Sequence, residues 1–537
     1  MDENAPRAES VTLAIQPLKV TMSGIRQTQS AERDHGAPMD MDCIACYRAI
    51  STRDARFDGR LFVGVKTTGI YCRPICPART PKFENVSFYA SAAAAQEAGF
   101  RPCLRCRPEI SPDLAFWRGT SNTVSRALTL IEAGGLDQDD VEGLANRLGV
   151  GARQLRRLFR QHVGASPIAV AQTRRVLLAK QLIHDTHLPM AEVALASGFG
   201  SVRRFNETFH DLFGRSPATL RRIRDKARRE ADALSIRLAY RPPYDWEAMF
   251  AFLTARAIPG VELVTDDSYK RTIAFGKHTG LVMVTPAVKH RVDVTVRFPD
   301  VAALPSIIAR VRRVFDLAAD PEQIGLHLSQ DAVLAPMVAA RPGLRVPGAW
   351  DGFELAMRAI CGQQITVPAA TKLLGKLVQA HGVLLPAAIR DGEGLSHVFP
   401  SPKAIAAADP SGFAMPGARA RAIVALAQAI AADPMIFSRG ASLEQAITKL
   451  RSLPGIGEWT AQYIAMRELR EPDAFPAADV GLLRAMADGD GRRPSPEQLL
   501  ERAEAWRPWR AYAALHLWAS GAARPTEEEK ADAREAA

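Results

Sequence analysis

At 537 residues the chain is too long for a single hydrophobic core and fits three or four domains. Its formal net charge of +11 calls for a polyanionic partner, which charge alone leaves as either nucleic acid or an anionic membrane surface. No apolar run approaches the roughly 18 residues of a membrane helix and the start has no signal-peptide pattern, so a cytoplasmic, nucleoid-associated protein is expected.

The elements read in chain order as a multidomain fold, mainly α with α+β modules. Residues 1–40 are polar and without periodicity, and are expected to be disordered. Met39 and Met41 stand just before the first recognisable domain as alternative starts. Residues 41–112 carry the doublets Cys72-Arg-Pro-Ile-Cys76 and Cys103-Leu-Arg-Cys106. Four thiols at these spacings can close one tetrahedral zinc site. Zinc holds a bound thiol deprotonated at neutral pH, so each ligand is also a potential nucleophile and geometry decides whether it reacts. A folding staple without chemistry is the alternative. Thr67, Thr68, Arg73, Arg79, Arg101, Arg105 and Arg107 put phosphate-binding donors beside the thiolates. The other cysteines read as free thiols at Cys43 and Cys46 and a core residue at Cys361.

The stretch from Phe57 to Glu109, FDGRLFVGVKTTGIYCRPICPARTP followed by ENVSFY and AGFRPCLRCRPE, resembles the amino-terminal domain of Ada-type adaptive-response proteins. The resemblance implies Zn2+ on Cys72, Cys76, Cys103 and Cys106, with Cys72 accepting a methyl group from a methylated DNA phosphate and Arg73 among the DNA contacts. A neutral phosphotriester is not repelled by a thiolate, whereas an ordinary phosphodiester is. Transfer is then single-turnover. It removes one negative charge from the centre and weakens repulsion from the DNA backbone, so repair doubles as a regulatory switch.

Residues 118–230 turn helical and hold 19 Lys plus Arg against 11 Asp plus Glu, a local charge of +8. VEGLANRLGVGARQLRRLFRQHVGASP places Leu144, Ala145 and Leu148 inward, turns at Gly149 and continues into a basic helix. A second copy, MAEVALASGFGSVRRFNETFHDLFGRSP, turns near Gly198 to Ser201. This tandem helix-turn-helix resembles the AraC-type DNA-binding domain. It implies DNA contacts from Arg153, Gln154, Arg156 and Arg157 on one recognition helix and from Ser201, Arg203, Arg204 and Asn206 on the other. For any single arginine, a phosphate contact is the plainer reading than a base contact. Promoter DNA and RNA polymerase are the partners such a regulator implies.

After the Arg-rich run at 221–229, residues 235–326 read as an α+β module, with LSIRLAY, TIAFG, GLVMVTP and RVDVTVRF as half-buried strands. Residues 327–521 are dominated by helices rich in Ala and Leu. Within them, Leu453-Pro-Gly-Ile-Gly457 followed by EWTAQYIAMRE has the form of a helix-hairpin-helix. Its glycines let backbone N–H groups approach a DNA phosphate, and the positive end of the next helix points at it. Alone, the turn fits any tight helix–helix connection. Asp479, in AFPAADVGLLRA, is equally a helix N-cap by its position, and Trp518 equally a core aromatic.

These pieces, with YRPPYDWEAMFAFLTARA at Tyr240 to Ala257, resemble the AlkA-type 3-methyladenine DNA glycosylases over roughly Ser235 to Gly521. The resemblance implies Asp479 as the catalytic carboxylate, a base pocket of Trp459, Tyr463 and Trp518, and a backbone grip by Leu453, Gly455 and Gly457. Damaged double-stranded DNA is then the substrate. A cationic alkylated purine suits an electron-rich aromatic pocket, the base must leave the stack to reach it, and a carboxylate can stabilise the oxocarbenium character of the sugar. No lysine lies between Gly457 and Asp479, which points to a monofunctional enzyme, and no cysteine follows Cys361 to hold an iron–sulfur cluster. Gln364, in CGQQIT, stands where some relatives insert an apolar wedge. The Pro-Cys-His-Arg acceptor of Ada is missing, so direct repair of O6-methylguanine is not expected. Residues 522–537 read as a solvated tail. Two rival readings remain: a regulator whose glycosylase region only clamps DNA, and a glycosylase whose amino-terminal half only targets it.

Overall fold

The computed structural model describes residues 42–111, 122–221, 233–390, 394–433, 436–437 and 442–522. The disorder expected for 1–40, the starts at Met39 and Met41, most of the Arg-rich run and the tail from 523 lie outside these residues. No described helix is long and apolar enough to cross a membrane.

The zinc-type domain opens with the helix Cys43–Ser51, capped by Asp42, and is built on a four-stranded sheet. Phe62–Val65 is flanked antiparallel by Val86–Tyr89 and Ile70–Cys72, and the last pairs parallel with Arg101–Pro102. That parallel pairing brings Cys72 and Cys103 to neighbouring strand ends.

The next segment has the helices Asn122–Glu132, Val141–Arg147, Ala152–Val163, Pro167–Asp185, Met190–Ala196 and Val202–Phe213. In Ala152–Val163 the apolar positions recur every four residues, so Leu155, Phe159 and Val163 are buried while Arg153, Arg156 and Arg157 face out. Val202–Phe213 repeats this with Phe205, Phe209 and Phe213, whose rings follow one another at 4.8 and 5.4 Å. Gly198 turns with φ +87°, and an added Cβ would lie 2.3 Å from the Asp137 carboxylate, so only glycine fits there.

The α+β module is a five-stranded antiparallel sheet in the order Leu234–Ala239, Arg291–Arg297, His278–Ala287, Tyr269–Phe275, Glu262–Val264. All four strands expected from alternation are present. The helices Trp246–Arg256 and Leu304–Val314 pack with it, and one continuous apolar core runs from this sheet into the second helix-turn-helix, through Val176, Phe205 and Phe209. A separate large core fills the helical domain, from Phe353 and Ile360 to Trp506 and Leu517.

Candidate functional site

The loop before Asp479 is held from both sides. Asp473 pairs with Arg510 at 2.7 Å and with Arg507, and Gln462 accepts the Phe475 N–H at 3.1 Å. Asp479 then caps the helix Val480–Ala485, its Oδ1 accepting the Leu482 N–H at 3.0 Å. The same carboxylate accepts two indole N–H groups, Trp459 Nε1 on Oδ2 and Trp518 Nε1 on Oδ1, both at 2.8 Å. Cap and carboxylate site are therefore one residue. Gly481 permits the close approach, because a Cβ there would lie 3.0 Å from Asp479 Oδ1 and 3.2 Å from Trp518 Cδ1.

Trp459 and Tyr463, one turn apart on the helix Glu458–Arg467, stack at 5.0 Å with their planes 12° apart. With Asp479 and Trp518 they line a cavity of about 680 Å³ that runs from the helical domain to the α+β module, where Phe252, Arg256 and Trp350 join the lining. Arg467 lies 5.0 Å over the Tyr463 ring, and its Nη1 donates to the Tyr463 hydroxyl oxygen. Burial opposes ionisation of Tyr463, but Arg467 and Arg256 outweigh it and hold the phenol below the ordinary tyrosine value. Phe252 has Arg256 at 4.0 Å and Arg467 at 4.6 Å over its ring. Guanidinium groups therefore lie over both the Phe252 and the Tyr463 rings of this lining. Phe252 and Gly481 lie inside motifs legible in the sequence. Arg467 likewise lies inside the quoted EWTAQYIAMRE, one turn after Tyr463, whereas Trp350 carries no local signal.

The hairpin turn joins the helix Leu443–Arg451 to Glu458–Arg467, with Gly455 at φ +78° and Gly457 as a cap without a side chain. Gly455 and Gly457 are exposed, and Gln363 Nε2 donates to the Gly455 carbonyl at 3.0 Å. Leu453 corrects an expectation: its side chain is buried in the core and anchors the turn from beneath, so only its backbone borders the surface. Gln364 is exposed at φ +60°. The adjacent Ile365, which the sequence did not single out, lies at the cavity and is 37% exposed.

In the first domain the Sγ atoms of Cys72, Cys76, Cys103 and Cys106 all lie within 4.8 Å of one another. Four sulfurs converging on one point fit a tetrahedral zinc, whose Zn–S bonds of about 2.3 Å place the sulfurs roughly 3.8 Å apart. Backbone N–H groups of Arg73 and Arg105 donate to Cys106 Sγ at 3.4 Å and Cys103 Sγ at 3.3 Å. Cys76 is half-buried, and the other three are buried. Arg73 corrects a second expectation. It is buried, donating from Nε to Asp58 Oδ1 at 2.8 Å and from Nη1 to the Cys106 carbonyl at 3.1 Å, so it braces the centre rather than facing DNA. Arg107 is likewise engaged, with Glu109 and Asp185. Thr67, Thr68, Arg79 and Arg105 remain exposed, as do Arg153, Gln154, Arg156, Arg157, Ser201, Arg203, Arg204 and Asn206 on the two recognition helices. Arg203 makes an exposed pair with Glu207 at 2.8 Å, weak enough to yield to a phosphate. Cys46 is buried beside the zinc-type core, and burial pushes its thiol up to about 11.

Fold and sites together define a DNA alkylation-repair protein that joins a zinc methyl-acceptor domain and a helix-turn-helix reader to a base-excising glycosylase. Residues 45–109 match the metal binding domain of Ada, 144–223 a helix-turn-helix domain, 235–351 the AlkA N-terminal domain and 357–511 the HhH-GPD superfamily of base excision DNA repair proteins. A Mycobacterium tuberculosis H37Rv protein described as a probable bifunctional transcriptional activator/DNA repair enzyme AlkA is 44% identical over 485 residues, covering 89% of this chain and 97% of its own. DNA-3-methyladenine glycosylase 2 of Escherichia coli K12 is 36% identical over 294 residues, 54% of this chain and 99% of its own. The bifunctional transcriptional activator/DNA repair enzyme Ada of the same organism is 38% identical over 129 residues, 24% of this chain and 35% of its own. The chain belongs to the family of bifunctional transcriptional activator/DNA repair enzymes of the AlkA type. Its cofactor is Zn2+, and its partners are damaged and promoter DNA.

Proposed function

We propose that the chain releases alkylated purines, 3-methyladenine and 7-methylguanine among them, with Asp479 as the catalytic carboxylate. The observation that carries this is the Asp479 carboxylate, gripped by two indole N–H groups on the wall of an aromatic cavity of about 680 Å³. A flipped cationic base stacks against Trp459, Tyr463 and Trp518. As the glycosidic bond breaks, its electron pair leaves with the base and the sugar becomes cationic beside Asp479. A water then adds to the anomeric carbon and gives its proton to the carboxylate, leaving free base and an abasic site. Gly455 and Gly457 hold the backbone, and Gln364 fills the emptied stack with its hydrogen-bonding edge.

In the amino-terminal domain zinc, when bound, keeps the four thiols deprotonated. We assign Cys72 as the acceptor, because its position in the doublet is that of the Ada-type acceptor. Its sulfur bonds the methyl carbon of a phosphotriester, the methyl–oxygen bond breaks, and a phosphodiester leaves. The greater exposure of Cys76 favours a second reading in which Cys76 reacts. Peptide mapping after reaction with a methylphosphotriester oligonucleotide separates them: one methyl on the Cys72 peptide supports the first, one on the Cys76 peptide replaces it. The loss of negative charge strengthens promoter binding through Arg153, Arg156, Arg157, Arg203 and Arg204, with RNA polymerase as the further partner and the cytoplasmic nucleoid as the setting.

A further inference from the structure

The zinc domain and the glycosylase meet through buried charges that find partners across the contact. Asp320 is fully buried, pairs with Arg60 of the zinc domain, and lies 3.8 Å from Arg241 of the glycosylase. Arg241 Nη2 crosses the interface to the carbonyl oxygens of Arg56 at 2.7 Å and Asp58 at 2.6 Å. Burial and the neighbouring Arg60 push Arg241 down to about 10. Asp320 also caps the helix Pro321–Leu328, its Oδ1 accepting the Gln323 N–H at 3.3 Å, whereas the Arg241 guanidinium donates to carbonyl oxygens of the zinc domain, and a buried charge is tolerated only with such partners.

Both ends of this contact lead to a functional centre. On one side, Asp58 is the residue that holds Arg73, whose N–H and guanidinium hold Cys106. On the other, the Arg241 carbonyl accepts from Arg345, which also donates to the Pro243 carbonyl at 3.0 Å, lies 4.8 Å over the Tyr244 ring and lines the base cavity. Buried hydrogen bonds thus run from the four-cysteine centre through Arg73, Asp58, Arg241 and Arg345 to the cavity wall. A parallel link runs from the reader: Lys180, buried on the helix Pro167–Asp185, donates to the Cys103 carbonyl at 2.9 Å and to Glu109 at 2.5 Å, and the adjacent Gln181 donates to the Arg237 carbonyl at 2.7 Å.

We propose that Arg241 couples the two repair activities, so that the state of the zinc centre sets the rigidity of the base cavity and the rate of base excision. The arrangement gives the sign. The negative sulfurs draw in the Arg73 N–H and hold Arg73 against Asp58. Methylating one thiolate weakens that attraction, loosens Asp58 and with it the carbonyl oxygens that receive Arg241, and relaxes Arg345 at the cavity. The inference rests on methyl transfer at this centre but not on which of the four cysteines reacts.

The test uses the full chain and its Arg241→Met variant, each before and after stoichiometric methylation by a methylphosphotriester oligonucleotide free of damaged bases. Two readouts are taken: amide hydrogen exchange over residues 240–246 and 344–350, and the single-turnover rate of 3-methyladenine release at saturating DNA, where overall DNA affinity cancels. Methylation of the native chain is expected to raise exchange in both segments and slow release about fivefold or more. Arg241→Met is expected to start with raised exchange and to show no further response. Unchanged exchange and rate in the methylated native chain overturns the proposal, and so does an Arg241→Met chain that responds as the native one does. If the variant does not fold, the native chain decides by a binding ratio. The preference for an abasic-site mimic over undamaged DNA of the same sequence must fall on methylation, and an unchanged ratio overturns the coupling. Failure to methylate at all refutes the methyl-acceptor reading instead, and mass spectrometry of the intact chain reports that separately.

Discussion

Asp479→Asn separates charge from shape at the glycosylase site. Oδ1 accepts Trp518 Nε1 at 2.8 Å and Leu482 N at 3.0 Å, and Oδ2 accepts Trp459 Nε1 at 2.8 Å, so both oxygens face donors only. An asparagine keeps its carbonyl toward Trp518 and Leu482 and must then point its NH2 at the Trp459 N–H. One half-buried indole donor loses its partner, which costs about 1–2 kcal/mol. The glycosylase unfolding transition should fall by roughly 2–8 °C. Loss of the carboxylate charge removes about 3 kcal/mol or more of transition-state stabilisation, so base release should drop at least about a hundredfold. Adding Trp459→Phe to Asp479→Asn removes the donor–donor clash and should recover part of the melting temperature without recovering the rate. Single-turnover release of 3-methyladenine and thermal melting of the three proteins decide it. An asparagine variant working at more than about a tenth of the native rate refutes the catalytic assignment. A double variant no more stable than the single one refutes the hydrogen-bond geometry.

Products should be free base and intact abasic sites, with strand breaks only after alkali, because no lysine lies between Gly457 and Asp479; covalent trapping by borohydride would reveal an amine elsewhere. Gln364→Ala should weaken binding to abasic-mimic DNA more than to undamaged DNA, and Ile365→Ala measured beside it shows whether the apolar neighbour shares the wedge, an unaffected Gln364→Ala transferring the role to Ile365. Burial disfavours the Glu354 carboxylate, but Arg271 and Arg358 outweigh it and hold its pKa at about 2 against an ordinary 4.5. A depressed carboxylate stabilises the fold above its unfolded value, so about 3 kcal/mol present above pH 4.5 should be lost as pH falls from 4.5 toward 2. Glu354→Gln should be less stable at pH 7, leaving two arginines without this partner, and its melting temperature should fall less steeply with acid; equal acid slopes for the two proteins would show that Glu354 carries no such linkage.

What the sequence determined by itself is whatever depends on near neighbours. The doublet spacings name the zinc ligands because a cysteine pair with two or three residues between its members can reach one ion on a single turn of chain. The four-residue recurrence of Leu155 and Phe159 turns Arg153, Arg156 and Arg157 outward. Pro-Gly-Ile-Gly specifies a turn, and Trp459 and Tyr463 share a helix face by their spacing alone. Tertiary structure decided what depends on partners far along the chain. Two indoles, 20 and 39 residues from Asp479, converge on one carboxylate, which no local period encodes. Leu453 and Arg73 read as surface contacts because each lies in a motif associated with DNA, yet packing turned both inward, one toward an apolar core and the other toward Asp58. The docking of Arg241 onto Asp58, 183 residues away, is set by which buried charges can be paired, and that is settled only when the whole chain is assembled.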